Sequence, residues 1–188
     1  MLFRSSDDKR AAIMSAAAGV IAAQGLGAAT AAIAREAGVS NGSLFTYFDT
    51  KADLLNQLYL ELKADMGAAA LAGLPADGDV REQMLHMWSR WLRWATAYPE
   101  KRRALARLEV SDEITLPTHQ AASQAMTGIA GLVERSRENG PMRDVPLAFV
   151  VGLASALADT TIDFITGDPA GADAHGRAGF DALWRMIA

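Results

Sequence analysis

A run of polar side chains on either side of a glycine has the residue types that proteins use to contact DNA. Residues 30–51 indicate a short helix, a turn at Gly38 and a second short helix that begins near Asn41 and runs to Phe48. The second helix leaves four hydrogen-bonding side chains facing outward, namely Asn41, Ser43, Thr46 and Tyr47. A helix that presents polar side chains at a fixed crossing angle can read base edges in the major groove. The other interpretation is a tight helical corner with incidental polar residues.

Apolar residues at complementary spacings would hold these two short helices across each other. They are Ile33, Val39, Leu44 and Phe48. Gly38 tolerates the backbone conformation of a tight turn, and Ser40 can cap the second helix. The segment therefore combines a rigid scaffold with a polar face, which favours DNA binding over the corner interpretation.

The rest of the chain has no comparable set of reactive residues. There is no cysteine, which excludes disulfides, thiolate nucleophiles and Cys-based zinc sites. The three histidines (His86, His119 and His175) lack metal-ligand spacing. Asp159 and Asp163 lie one helical turn apart without a third catalytic partner, so a polar seam at a dimer interface or a helix rim explains them more simply. We expect a protein that is not an enzyme, with no catalytic residues, no metal and no cofactor.

The most aromatic stretch of the chain lies on a helix predicted over residues 80–97. Its three tryptophans span about a third of the helix circumference at 100° per residue, which is wider than a single packed stripe. Core packing explains any one of these residues, whereas the breadth of the set suggests the wall of a cavity for an apolar or aromatic molecule. The candidate cavity residues are Met84, Met87, Trp88, Trp91 and Trp94.

Charge and composition limit how the chain can bind DNA. The 188 residues have a formal net charge of −4, and residues 1–60 contain five Lys/Arg and five Asp/Glu. Contact with DNA must therefore come from a local patch. The uncharged run 11–34 is mostly Ala and Gly and is interrupted by Gln24, so we expect a cytoplasmic protein with no signal peptide and no membrane partner.

Hydrophobic periodicity predicts an all-α fold of about nine helices. The indicated helices lie at about 6–24, 30–37, 41–48, from 51 onward, 80–97, from 99 onward, from 117 to about 138, 145–165 and 172–187. Gly and Pro separate them, most clearly at Asn139-Gly140-Pro141 and at Gly167-Asp168-Pro169.

Residues 33–54 resemble the DNA-binding signature of the TetR family of transcription regulators. They follow the pattern Ile-Ala-x-x-Ala-Gly-Val-Ser-x-Gly-x-Leu-aromatic-x-Tyr-Phe-x-x-Lys-x-x-Leu. Upstream, four residues fit the first helix of the family, namely Ile13, Ala16, Ala17 and Gly25. The resemblance covers about residues 6–60, and the rest of the chain agrees with the family in length and helical pattern.

The resemblance implies contacts with both the phosphates and the bases of DNA. Thr30 and Lys51, each at the start of a helix, would hold phosphates. The recognition helix would meet phosphates and base edges with Ser40, Asn41 and Ser43. It would face the groove and backbone with Thr46 and Tyr47.

The chain departs from the family pattern at a few positions. Phe45 stands where the family usually has Tyr. It would keep the packing of the aromatic ring and lose a hydroxyl contact to phosphate. We include Phe45 in the predicted DNA-facing set. Ala29 replaces a Ser or Thr, which leaves capping to Thr30. The first motif helix has alanines where polar or basic residues are common, and cations before it would compensate, namely Arg4, Lys9 and Arg10. Fewer phosphate contacts predict a modest, salt-sensitive affinity.

The resemblance also implies an architecture and a function. A three-helix DNA-binding domain (residues 1–50) would precede a helical effector-binding and dimerisation domain (residues 51–188). Two chains would pair through their last two long helices, and the homodimer would repress transcription at an inverted-repeat operator until a small apolar or aromatic effector releases it. The alternative is a helical protein that binds a small molecule and has weak or lost DNA binding.

Overall fold

The computed structural model describes residues 5–188, and all regular structure in that range is helical. It contains ten α-helices, and a 3-10 turn at Pro169–Gly171 separates the last two. The α-helices are α1 (Ser6–Gln24), α2 (Thr30–Glu36), α3 (Asn41–Leu44), α4 (Lys51–Leu71), α5 (Val80–Ala97), α6 (Pro99–Glu109), α7 (Leu116–Ala125), α8 (Thr127–Arg137), α9 (Leu147–Gly167) and α10 (Ala172–Ile187). The predicted all-α fold is confirmed.

Local chemistry accounts for both ends of α1. The Ser5 hydroxyl accepts a hydrogen bond from the Asp8 backbone N–H at 3.1 Å, and the Asp8 carboxylate accepts one from the Ser5 backbone N–H at 3.0 Å. This reciprocal capping box satisfies two of the N–H groups that a helix start leaves unpaired. At the other end Gly25 has a φ of 84°, and its N–H donates to the Ile21 carbonyl.

Two helices end earlier than the sequence predicts. The helix predicted over 41–48 is α-helical only as far as Leu44, and its last residues form successive turns. The helix predicted after Pro117 is divided into α7 and α8 at Met126. Close packing accompanies this break, because a Cβ atom on Gly128 would lie 2.8 Å from Leu71 Cδ1. Hydrophobic periodicity continues across such a break and does not report it.

The described backbone separates into two compact units. The first combines the residues up to 64 with residues 98–124, so that α6 and α7 belong with the helix-turn-helix. Within this unit α1 packs against α2 and α6, and the Arg107 guanidinium donates to the Ile21 carbonyl at 2.6 Å. Its fully buried side chains include Ile13, Ile33 and Phe48.

The second unit combines residues 65–97 with residues 125–188. In it α5 packs against α8, α9 and α10, and α10 packs along α9. Trp88 is 1% exposed, and its indole N–H donates to the Gly176 carbonyl at 2.9 Å. Since α4 begins in one unit and ends in the other, these units differ from the predicted domains 1–50 and 51–188. That functional boundary stays a prediction.

The helix α9 stands out for its composition. By length and apolar composition alone it is sufficient to cross a membrane, and 28% of its apolar window is buried. Core helices of soluble proteins pass the same test. Two large apolar side chains on α9, Phe149 and Phe164, are 58% and 62% exposed.

Candidate nucleic-acid interface

The turn between α2 and α3 is held by backbone hydrogen bonds and one glycine. Gly38 has a φ of 70°, and its N–H donates to the Arg35 carbonyl at 3.1 Å. The N–H of the next residue, Val39, donates to the Ala34 carbonyl at 2.9 Å. The Ser40 hydroxyl then caps α3 by accepting from the Ser43 N–H at 3.0 Å. These bonds direct the chain out of α2 and into α3 within four residues.

The apolar scaffold predicted from the sequence is buried. Ile33 and Leu44 are fully buried and Phe48 is 1% exposed, while Val39 is half-buried in the turn. Burial of side chains of this size stabilises a fold by about 1.5–3 kcal/mol each. The crossing of α2 and α3 is therefore fixed by packing as well as by the turn.

The outward side of α3 presents short polar side chains. Ser40, Asn41 and Thr46 are exposed, and Ser43 is half-buried. The Thr46 hydroxyl donates to the Ser43 carbonyl at 2.6 Å, so its proton is already used locally. The Asn41 amide forms no side-chain hydrogen bond within the described range, residues 5–188. Because an amide can both donate and accept, Asn41 has the chemistry to read a base edge.

Two of the predicted phosphate contacts are engaged within the chain. The Lys51 ammonium donates to the Leu26 carbonyl at 2.5 Å, which fixes it beside the turn between α1 and α2. An ammonium carries three donors, so two others are available for a phosphate. The Tyr47 hydroxyl accepts a hydrogen bond from the Ser6 hydroxyl at 3.2 Å and is oriented from α1.

The start of α2 differs from expectation, and Phe45 is exposed. Phe45 is 41% exposed beside the fully buried Leu44, which is compatible with its place in the predicted DNA-facing set, and its packing role stays a prediction. The N-cap of α2 is Ala29, with no side-chain capping bond, so Thr30 does not provide the expected cap. Thr30 occupies the first helical position and is half-buried.

The compensating cations are only partly available. Arg10 pairs with Glu61 at 3.3 Å and donates to Gln57 at 2.9 Å, so it is held against α4. Arg4 lies outside the described residues, and Lys9 is half-buried. Arg35, which the sequence analysis did not select, is exposed on α2 and forms no ion pair in the described part of the chain. The sequence signal that could have identified Arg35 is its position as the basic residue of an alanine-rich helix.

The predicted cavity residues lie mostly in the interior of the second unit. Met84, Met87, Trp88 and Trp94 are at most 4% exposed, and Trp91 is half-buried. The Trp94 indole N–H donates to the Asp65 carboxylate at 3.1 Å. Buried polar groups in this cluster are thus paired, as close packing requires. An effector role for these five residues stays a prediction.

Comparison with known proteins agrees with this geometry. Residues 13–58 match the family model described as bacterial regulatory proteins, tetR family. The matched segment runs from within α1 into α4 and includes the whole turn between α2 and α3.

Solved structures share the fold over nearly the whole chain. A structure described as a tetR family transcription regulator from Shewanella sp. PV-4 is 28% identical with a TM-score of 0.82, covering 94% of this chain and 96% of that one. A tetR family regulator from Marinobacter aquaeolei VT8 is 22% identical with a TM-score of 0.80, covering 95% and 94%. FadR from Bacillus subtilis, solved in complex with stearoyl-CoA, is 17% identical with a TM-score of 0.70, covering 95% and 99%.

Proposed function

Since residues 13–58 match the tetR family model, we propose that this chain is a transcriptional regulator of that family, a cytoplasmic repressor that binds an inverted-repeat operator as a homodimer. The observation that carries the proposal is the exposed polar face of α3, held on a buried scaffold by a glycine turn. Two such helices in a dimer would enter successive major grooves, about 34–36 Å apart.

Asn41 and Lys51 have different parts in this proposal. The exposed amide of Asn41 would read a base, and this contact would carry sequence preference. Lys51, already oriented by the Leu26 carbonyl, would neutralise a phosphate and carry salt dependence. The remaining members of the interface would position the helix through phosphates and sugars, namely Thr30, Ser40, Ser43, Phe45, Thr46 and Tyr47.

The DNA-binding proposal is tested by fluorescence anisotropy with DNA that flanks the protein's own gene. We expect Asn41→Ala to weaken specific binding by about tenfold or more, since a good base contact is worth about 1–3 kcal/mol. Asn139→Ala is the matched control, because Asn139 is an exposed asparagine in the loop after α8. Lys51→Ala should weaken binding to all sequences and reduce the slope of log affinity against log salt by about one.

The same experiment separates the alternative function. Residues 1–60 have no net charge and Arg10 is held against α4, which favours weak binding. A protein that binds no DNA at low salt would be the small-molecule-binding protein of the alternative. DNA binding that is unchanged by both substitutions would instead refute the assigned contacts of Asn41 and Lys51.

Dimerisation through α9 and α10 is supported by the surface of α9. Phe149 and Phe164 are exposed on it, and between them the exposed Gly152 and Ala156 leave room for close helix approach. A second copy would cover this apolar face in a four-helix bundle. We expect Ala156→Glu to yield monomers in sedimentation, whereas Ala106→Glu on the exposed side of α6 should stay dimeric. Monomeric wild-type protein that cosediments with lipid vesicles would refute the dimer and indicate a membrane partner.

We propose an apolar or aromatic small molecule as the effector. The same fold accommodates a ligand with a long apolar chain in another protein, since FadR from Bacillus subtilis is solved in complex with stearoyl-CoA. Binding would shift the equilibrium between conformations that fit and do not fit the operator, by the ligand's differential affinity for the two. If the predicted cluster around Trp88 and Trp91 contacts the effector, ligands that release DNA should also quench tryptophan fluorescence.

A further inference from the structure

A surface groove in the second unit is lined by residues other than those of the predicted aromatic cluster. It is a cavity of about 570 Å³ lined by one face of α5, the first half of α10 and Ile165 of α9. None of the five residues predicted to line an effector cavity contributes to it. Its volume is in the range of small-molecule sites, about 300–1,000 Å³.

The groove is long rather than round. Its α5 wall extends from Arg81 to Thr96, which corresponds to about 22 Å at a rise of 1.5 Å per residue. Three of the wall residues, Leu85, Ser89 and Arg93, also line a second cavity of about 560 Å³. These three residues are spaced by four and therefore form one stripe along the helix. An extended ligand fits this shape better than a compact one.

Charged side chains at the groove leave an excess of positive charge. Three arginines and two aspartates line it, in a chain whose net charge is −4. Arg81 is already neutralised by Asp181 at 3.3 Å, and its guanidinium lies 5.4 Å from the ring centre of Phe180. Arg93 and Arg177 are exposed, and neither forms an ion pair in the part of the chain that the structure describes. Guanidinium groups of this kind bind carboxylates with paired, charge-assisted hydrogen bonds.

Apolar side chains lie between these charges. Leu85 is 36% exposed although it is a large aliphatic residue, while Leu92 and Phe180 are buried at the floor of the groove. Leu85 would be covered by the apolar body of a ligand, at about 25 cal/mol per Å² of apolar surface removed from water. Cationic side chains beside an exposed apolar surface are the complement of an amphipathic anion.

We propose that this groove binds an extended amphipathic carboxylate, with Arg93 and Arg177 holding the anionic group and Leu85 and Ile165 contacting the apolar chain. The inference rests on the proposed ligand-responsive regulation. It adds an anionic group to the apolar effector and places the binding site in this groove rather than at the predicted aromatic cluster. It places the ligand on a face of α5 to which none of the five predicted cavity residues contributes.

The test is isothermal titration calorimetry of the full-length protein with dodecanoate below its micelle concentration. Dodecyltrimethylammonium supplies the same chain with the opposite charge, and acetate supplies the carboxylate without the chain. We expect saturable binding of dodecanoate alone. Arg93→Ala and Arg177→Ala should each weaken it about tenfold, which is the loss expected for one charge-assisted hydrogen bond. Arg103→Ala, which removes an exposed arginine of α6, should leave it unchanged.

Several results would overturn the proposal. These are no binding of dodecanoate at millimolar concentration, equal binding of the cationic amphiphile, or full affinity in the Arg93→Ala Arg177→Ala double variant. Circular dichroism of each variant confirms that the fold is retained. Anisotropy with operator DNA is measured in parallel and keeps the two proposals apart. If the wild-type protein binds no DNA but the wild type and the arginine variants bind dodecanoate with the expected affinities, the regulator function is refuted and the groove proposal is supported.

Discussion

Gly38 directs the chain from α2 into α3, and its replacement by alanine measures the free energy of one backbone angle. Its φ is 70°, in the left-handed region, and a Cβ atom added there would meet no atom within 4 Å. Steric clash is therefore absent, and the cost is that of an L-residue in this conformation, about 1–2 kcal/mol. Alanine also restricts the unfolded chain, which offsets the cost by about 0.4–1 kcal/mol.

Gly27 is the matched control for this substitution. It also has open space around its Cβ position, but its φ lies outside the left-handed region. Gly27→Ala should therefore be neutral or stabilising by about 0.4–1 kcal/mol. The difference in unfolding free energy between the two variants isolates the backbone term, and we expect Gly38→Ala to be less stable than Gly27→Ala by about 1–2 kcal/mol.

Urea denaturation followed by circular dichroism measures this difference, with all proteins at one concentration because a dimer's stability depends on it. Gly38→Asn should recover part of the loss, since Asn tolerates the left-handed region. Because the strain lies in the turn that sets α3, operator affinity should fall in Gly38→Ala and not in Gly27→Ala. Equal unfolding free energies for the two variants would refute the argument.

Three further substitutions test single contacts. Ser40→Ala removes the cap of α3 and should lower the unfolding free energy by about 1 kcal/mol in urea denaturation, an effect that Ser40→Asp should avoid. Arg107→Met should cost only about 1 kcal/mol, because the Ile21 carbonyl keeps a second donor in the helix cap; a loss of several kcal/mol would contradict this. Hydrogen bonds from His175 and from the backbone lower the pKa of Asp168 from its ordinary value of 3.8. The ionised carboxylate therefore stabilises the folded state at pH values above 3.8. This contribution disappears as the pH falls through the lowered pKa. Asp168→Asn should therefore lose less stability than wild type on acidification below about pH 4, as measured by thermal unfolding across pH.

The helix-turn-helix scaffold was predictable because its signals are local. Ile33, Leu44 and Phe48 occur at spacings that bury one face, and all three are buried. The glycine turn and the Ser40 cap depend on neighbours within a few residues, so the sequence contains their cause directly. The end of α3 at Leu44 was missed because the apolar spacing continues to Phe48 through turns.

The hydrogen-bond partners of the charged side chains were not predictable from the sequence. Lys51 bonds to a carbonyl 25 residues earlier, and Arg10 bonds to residues 47 and 51 positions later. Such partners are neighbours only after the helices pack, so no local sequence pattern predicts them. The same applies to Phe45, whose exposure depends on which apolar side chains occupy the interior.

The sequence by itself determined the helical class, the position of the DNA-binding motif and the residues of its scaffold, because periodicity, caps and turn chemistry act over a few residues. Only the tertiary structure decided that α6 and α7 belong to one compact unit with the helix-turn-helix, that the aromatic cluster of α5 is mostly buried, and that exposed arginines line a groove. These features arise from contacts between residues far apart in the chain, and packing of whole helices selects them.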